Sequence, residues 1–334
     1  MSSAGGFVRR IINIRGMRQA ITVSIGLVII CVVFSMINPL FFSNRNVANL
    51  LRQVAPILII GIGQSFVMIT GNIDLSIGSV AGMGCMMSAT LMTKGVNQWA
   101  AVAVTLVCCL LIGLLNGQLV AKCGLPPFIA TLGTMTIARG IAQIVNGNYN
   151  TDAIGDGAQM FRDFFYYGRI MGVFNTVWIA VAIWLVFNFI LSSTKTGRHI
   201  YAAGSNIEAA RMSGVNINAT ITKAYLISSF CACIVGLTAS ATSGMGTMDA
   251  GNMYEMYAVA ASVIGGVSPL GGQGLLLGTV IGAAIWGVLQ NGLQFAGAPV
   301  AIRNILIGII VVISVLLDIV VRKGKWLKKK SARA

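Results

Sequence analysis

The chain has 334 residues, of which 23 are Lys or Arg and only 8 are Asp or Glu. A soluble chain of this length carries roughly 80 charged residues, about a quarter of the total; here the charged share is 9%, the hydrophobic share 56% and the mean hydropathy +0.85. These values exclude an ordinary cytosolic enzyme and a disordered protein, and they predict one all-α integral membrane domain covering 1–334.

Ten apolar spans follow in chain order. The first is Ala20–Ile37; it is preceded by basic residues like a signal peptide, but it is too long for one and lacks an A-x-A site, so it reads as an uncleaved helix. Then come Val54–Thr70, Ser79–Met92, Trp99–Val120, Pro127–Val145, Val173–Leu191, Ile221–Thr242, Met256–Ile264, Leu275–Leu293 and Ile302–Val321. The third and eighth are too short to cross alone at helical rise and are expected to continue into the Gly-rich segments beside them.

The net charge of +15 is placed around these spans rather than spread as a nucleic-acid surface. Four basic residues precede the first span, seven follow the last, four (Lys195, Arg198, Arg211, Lys223) lie in or beside the central polar segment, and Lys122 follows the fourth span. With ten crossings, all sixteen fall on one face, which the positive-inside bias makes cytoplasmic. The cytoplasmic parts are then residues 1–19, the segment 192–220 and the basic tail 322–334; anionic lipid is a natural contact for them. The 146–172 loop falls outside, with three acids and two arginines. An aromatic cluster in it, Phe161–Tyr167, suits the membrane interface or a receptor contact.

Seven cysteines form no C-x-x-C pair and read as small apolar packing residues; with a single histidine, His199, no metal site is expected. Asp74 is an acid in apolar surroundings, where acids are costly. It reads as an N-cap for the third span with Ser76 assisting, as a gate or path residue, or as both. Gly265, Gly266, Gly271 and Gly272 surround Ser268-Pro269, a pair suited to N-cap and first helical position; this segment is expected beside the translocation path. Gly71–Gly78 and Gly265–Gly272 echo each other, with glycine at both ends and a capping residue fourth. Arg139, within the fifth span, reads as snorkelling toward the outer interface or as a sugar or lipid contact. In the central segment Ser205 and Glu208 fit a capping box, with Asn206 between them, Ala209 and Ala210 as helix formers, Arg211 at the negative end of the dipole and Gly214 as the C′ residue. Two turns are marginal in water, so this helix needs a docking surface.

Glu208-Ala209-Ala210-x-x-x-Gly214 resembles the EAA signature of bacterial ABC importer permeases. The surrounding TGRHIYAAGSNIEAARMSGVNI, with GNIDLSIGS (71–79), PFIATLGTMTIARGI (127–141) and ASVIGGVSPLGGQG (261–274), resembles the monosaccharide permeases of the ribose, galactose, xylose and arabinose type. One departure is that the family's Tyr-Glu-Leu-Asp before the eighth span reads Tyr254-Glu255-Met256-Tyr257 here. The resemblance implies a permease subunit in the bacterial inner membrane that moves a monosaccharide or similar polyol. It implies a second permease subunit, identical or related, separate ABC ATPase subunits docked on the 205–214 helix, and a periplasmic sugar-binding protein. The chain has no P-loop, so ATP and Mg are expected on the partner ATPase, with no cofactor or enzymatic activity here. An ion-coupled secondary transporter or channel is the alternative, but apart from Asp74 and Arg139 almost no ionisable residue sits in a span centre.

The even crossing number has a direct check. A reporter active only in the periplasm is expected to be silent when fused after Ala334 and active when fused at Gly157; activity at the C-terminal fusion overturns the even count.

Overall fold

The computed structural model describes residues 17–299 and some of those between 301 and 316. Its long helices are α1 (Met17–Ile37), α2 (Asn44–Ile69), α3 (Ile77–Thr93), α4 (Gln98–Ala121), α5 (Pro127–Ile144) and α6 (Asn175–Ser193). Two short helices follow, α7 (Lys195–Ser205) and α8 (Ile207–Met212), then α9 (Ile217–Ser243), α10 (Tyr254–Ile264) and α11 (Leu276–Phe295). Each of the first nine predicted spans therefore corresponds to a helix. The tenth, Ile302–Val321, lies largely outside the described residues; those of it that are described, Ile302 and Leu316 among them, are helical. The N-terminal segment 1–16 and the tail 322–334 also lie outside.

Two expectations about length need correction. α2 begins ten residues before the predicted Val54, because Ser43 caps it, accepting the Asn46 N–H at 3.3 Å, and its first turns are polar. The eighth span does not extend as helix into its flanks: α10 has 11 residues, about 16 Å at helical rise, and 244–253 before it is a series of turns. Arg139 holds that segment. Its guanidinium donates to the carbonyls of Met248 (3.1 Å) and Ala250 (2.9 Å), so it faces protein rather than snorkelling to the interface.

α9 is the central helix, packed against α2, α3 and α4. Small residues make this close approach possible. A Cβ on Gly113 of α4 would stand 2.6 Å from Ser229 Oγ, and one on Gly117 2.7 Å from Thr222 Cα. The faces turned away from the bundle carry Val104, Val107 and Leu111 on α4, Phe128 and Ile129 on α5, and Leu185, Val186 and Phe189 on α6, all exposed. Hydroxyls and amides point inward instead. This apolar-out arrangement is what lipid requires, because only internal partners can satisfy a polar group there.

Hydrogen bonds tie the two ends of the bundle. At one end, the loops 70–76 and 265–275 meet α7. At the other, 149–174 meets 241–248: Thr151 N–H donates to Gly246 O (3.0 Å), Ile154 N–H to Gly244 O (2.9 Å) and the Tyr167 hydroxyl to Thr242 O (2.9 Å). Phe161 and Phe165 of the predicted aromatic cluster are buried in this seam, while Phe164 and Tyr167 are exposed. A two-residue-per-strand hairpin, Arg169–Ile170 with Val173–Phe174, turns through Met171 and Gly172, both at positive φ.

Asn46 at the start of α2 and Asn291 near the end of α11 form a reciprocal amide pair, at 2.9 and 3.1 Å, both buried. Asn46→Leu is expected to cost about 1–3 kcal/mol by leaving Asn291 unpaired. Asn46→Leu with Asn291→Leu together is expected to recover most of that loss. Melting of the purified protein in detergent checks both.

Candidate functional site

The two groups of residues singled out in the sequence meet at one end of the bundle. α7 was not foreseen in the central segment; Thr194 caps it, its hydroxyl accepting the Gly197 N–H at 3.4 Å. α7 takes Ser205 as its last residue, which overturns Ser205 as the cap of the next helix. Asn206 caps α8 instead, its Oδ1 accepting the Ala209 N–H at 2.9 Å. Glu208 then sits one position too early for a capping box and pairs with Arg211 at 3.2 Å, in the open. The predicted C-terminus holds: Gly214 stands at φ +81°, its N–H reaches Arg211 O and the Val215 N–H reaches Ala210 O, both at 3.0 Å. Only glycine adopts that φ without strain. Of α8, Ala210 alone is buried; Ile207 is 41% exposed and Met212 90%.

Asp74 is wholly buried, in the turn between α2 and α3. It is not the N-cap; Ser76 holds that position, and α3 begins at Ile77. The Asp74 carboxyl collects three donors: the Ser76 N–H (2.9 Å), the Ser76 hydroxyl (2.6 Å) and, from α9, the Ser228 hydroxyl (2.6 Å). The Asn116 amide of α4 donates to Ser76 Oγ (2.8 Å), and the Thr134 hydroxyl of α5 donates to Asn116 Oδ1 (2.6 Å). One carboxyl thus anchors a chain of hydrogen bonds through four helices. Tyr225 of α9 adds a bond to Ile73 O at 3.0 Å.

Gly265 and Gly266 end α10 in the way Gly214 ends α8: the Gly266 N–H reaches Val263 O and the Val267 N–H reaches Ser262 O, both at 2.9 Å. Ser268-Pro269 do not start a helix, since α11 begins only at Leu276. Ser268 instead closes a tight turn, its hydroxyl accepting the Leu270 N–H at 3.1 Å. The two echoing segments therefore share their turn chemistry, Asp74 to Ser76 and Ser268 to Leu270, although neither fourth residue caps a helix. They also touch. A Cβ on Gly271 would lie 2.8 Å from Gly71 Cα and from Gly204 O, and one on Gly272 2.6 Å from Ser205 Oγ. Gly272 N–H donates to Ile69 O at 2.8 Å, and the Tyr201 hydroxyl of α7 to Gly274 O at 2.6 Å.

At the other end lies a cavity of 540 Å³ that none of these residues lines. α2 supplies Arg52, Gln53, Pro56, Ile57 and Ile60; α9 supplies Val235, Thr238 and Thr242; α10 supplies Tyr254 and Tyr257; α11 supplies Trp286 and Gln290; and the 244–253 segment adds Asp249. Tyr257 packs on Trp286 with ring centroids 5.1 Å apart. Tyr166 closes one side, and the Arg52 guanidinium lies over it, 4.6 Å from its ring centroid, and over Phe174 at 4.4 Å. Ring faces beside amides and hydroxyls suit a small neutral polyol, whose C–H faces are apolar and whose edges are hydroxyls. Sequence reading missed this cavity because its walls come from four helices and a loop between residues 52 and 290. The signal was present only as aromatic and amide residues near span ends.

Removing the Asp74 acceptor tests its anchoring role. Asp74→Leu is expected to orphan three donors and cost about 3 kcal/mol or more. Asp74→Asn, which keeps one acceptor oxygen, is expected to cost less. Melting temperatures of the two variants in detergent give the comparison, and equal values overturn the role.

Residues 46–315 match the family model described as branched-chain amino acid transport system / permease component. The ribose import permease protein of Haemophilus influenzae is 36% identical over 88% of this chain and 91% of its own length. The D-allose transport system permease protein of Escherichia coli K12 is 32% identical over 89% and 90%, and the fructose import permease protein of Bifidobacterium longum 32% over 93% and 90%. No solved structure matches the chain. Coverage nearly end to end, with helices long and apolar enough to cross a bilayer, makes this chain a multi-pass membrane protein that belongs to the permease family of ABC monosaccharide importers.

Proposed function

We propose that the chain is one of two permease subunits through which a monosaccharide crosses the bacterial inner membrane, driven by ATP hydrolysed on separate ABC subunits. The observation that carries this reading is the arrangement along α2. Its middle, from Arg52 to Ile60, lines the aromatic cavity, and its last carbonyl, Ile69 O, is bonded to Gly272 beside Ser205 of α7. A push on α7 and α8 is thereby delivered to α2 and, through Asp74, to α3, α4, α5 and α9.

In this reading the α7–α8 end is cytoplasmic, as the basic residues of 192–220 favour, and both termini lie on that side after ten crossings. α8 presents Ile207 and Met212 as an apolar knob that an ATPase groove covers, with Glu208 and Arg211 at its rim. The cavity faces the periplasm, where a sugar-binding protein delivers the solute. Arg45, Arg52 and Arg169 border an adjoining hollow of 790 Å³ and suit an acidic docking face. ATP and Mg belong to the partner, and this chain contributes no catalytic group. Gly71, Gly271 and Gly272 close the cytoplasmic end of the route until the coupling helices move.

The test is uptake by cells or vesicles holding the full complex, with ¹⁴C-labelled D-ribose, D-allose, D-galactose and D-fructose as probes. Uptake of at least one sugar is expected, and it is expected to vanish when the ATPase subunit is deleted; ATPase-independent uptake overturns the proposal in favour of a secondary transporter. Gly214→Val and Asn206→Ala are expected to insert normally yet reduce ATPase co-purification and uptake together, Gly214→Val more strongly. Wild-type assembly in both removes α8 as the docking element.

A further inference from the structure

Among the described residues, Gln64 of α2 is the one side chain whose two polar atoms, Nε2 and Oε1, are both buried without a protein partner. It is fully inaccessible. Burying an amide with neither atom paired is costly; elsewhere among the described residues only single atoms are left so, the hydroxyls of Ser79, Thr105 and Ser229 and the Asn175 amide oxygen among them. The next residue, Ser65, bonds Gly61 O, Ser262 and Thr279. Asn46, Asn116 and Asn291 all have partners.

The position of Gln64 on α2 is informative. At about 100° per residue, Gln64 falls within about 20° of Ile57 and Gln53 and about 40° from Ile60. Those three residues line the cavity. Gln64 therefore continues the cavity-lining stripe, about 6 Å deeper than Ile60 at helical rise. α2 ends five residues further, at Ile69, whose carbonyl accepts the Gly272 N–H beside the contact of Gly71 with Gly271 at the closed end. Gln64 thus lies between the cavity floor and the glycine closure, with one donor group and one acceptor unspent.

We propose that Gln64 is the hydrogen-bonding way-point on the translocation route: its amide receives hydroxyls of the polyol as the solute leaves the aromatic cavity and α2 parts from its neighbours. An amide both donates and accepts, so it can exchange with any hydroxyl orientation and serves related sugars without fixing one. A carboxylate or ammonium there would instead hold a charge in a site built for a neutral solute. This inference rests on the sugar-permease reading, and its test separates the two.

The experiment uses Gln64→Leu and Gln64→Asn in the full complex with binding protein and ATPase. Leu matches the volume and removes the unpaired groups, so its melting temperature is expected to equal or exceed that of wild type. Its ATP-dependent uptake of the four labelled sugars is expected to fall at least tenfold, with basal ATPase activity and subunit assembly unchanged. Gln64→Asn is expected to keep a substantial part of the uptake with an altered KM. Wild-type uptake by Gln64→Leu overturns the proposal. So does a lowered melting temperature in that variant, because it shows an amide serving the fold through a structural water. A wild-type complex that takes up none of the sugars overturns the transport reading itself, a different result from a defect confined to the variants.

Discussion

Ile69 ends α2, and its carbonyl accepts the Gly272 N–H from the loop before α11. Much of the bundle's organisation follows from the need for bonds of this kind. Irregular backbone among membrane helices persists only when protein supplies its partners. The 70–76 segment takes its partners from the end of α2 and from Tyr225, and the 265–275 segment from the end of α10, from Ile69 and from Tyr201, with α7 pressed against both so closely that Gly204, Gly271 and Gly272 carry no side chain. A single substituted Cβ at any of these contacts would force backbone apart. Four helices, α2, α3, α10 and α11, therefore share one rigid junction at the α7 end.

The opposite end is built differently. There the helices are held apart by rings: Tyr166, Tyr254, Tyr257 and Trp286 surround open volume rather than filling it. Backbone-to-backbone contact at one end and ring-bounded space at the other make the bundle a tapered vessel. The taper is fixed by residue size, small at Gly113, Gly117 and Gly204 and large at Tyr257 and Trp286. Between the two ends the polar groups are nearly all neutral. The Ser65–Ser262–Thr279 cluster joins α2, α10 and α11, and the Asp74 network joins α3, α4, α5 and α9. Both hold helices together with groups that lipid cannot compete for.

The spans were legible because hydropathy over about 20 residues does not depend on what a helix packs against. Trp99–Val120 and Pro127–Val145 fall within a residue or two of α4 and α5. What escaped depended on neighbours. The first ten residues of α2 carry six polar side chains, yet are helical; Ser43 caps them and Asn46 finds Asn291 some 245 positions away. Ser205 and Asn206 are both good caps by type, and Ser205 matched the better-known pattern; the choice was made by α7, whose Thr194 cap starts a helix that runs through Ser205. Ser268-Pro269 carried a helix-start signal that the glycines after it cancelled, because Gly271, Gly272 and Gly274 all stand at positive φ. Asp74 was recognised as special from its surroundings alone, but its partner Ser228, and Asn116 behind Ser76, lie on other helices and left no local trace. The cavity was wholly tertiary.

The distribution of charge constrains what such a route can do. From Ile60 to Ile69 this face of α2 offers Gln64, Val67 and Met68, with no ionisable group. Asp74, in the turn that follows α2, is consumed by three donors. A neutral stretch of this kind binds a neutral solute with hydrogen bonds that form and break at little net cost; the charged side chains of the proposed route, Arg52 and Asp249, line the cavity before it. In the proposed reading the energy for uphill transport enters mechanically, from the separate ATPase subunits. The rigid place to apply it is the junction where α7 meets Ile69, Gly271 and Gly272, because force applied there reaches both walls of the route at once.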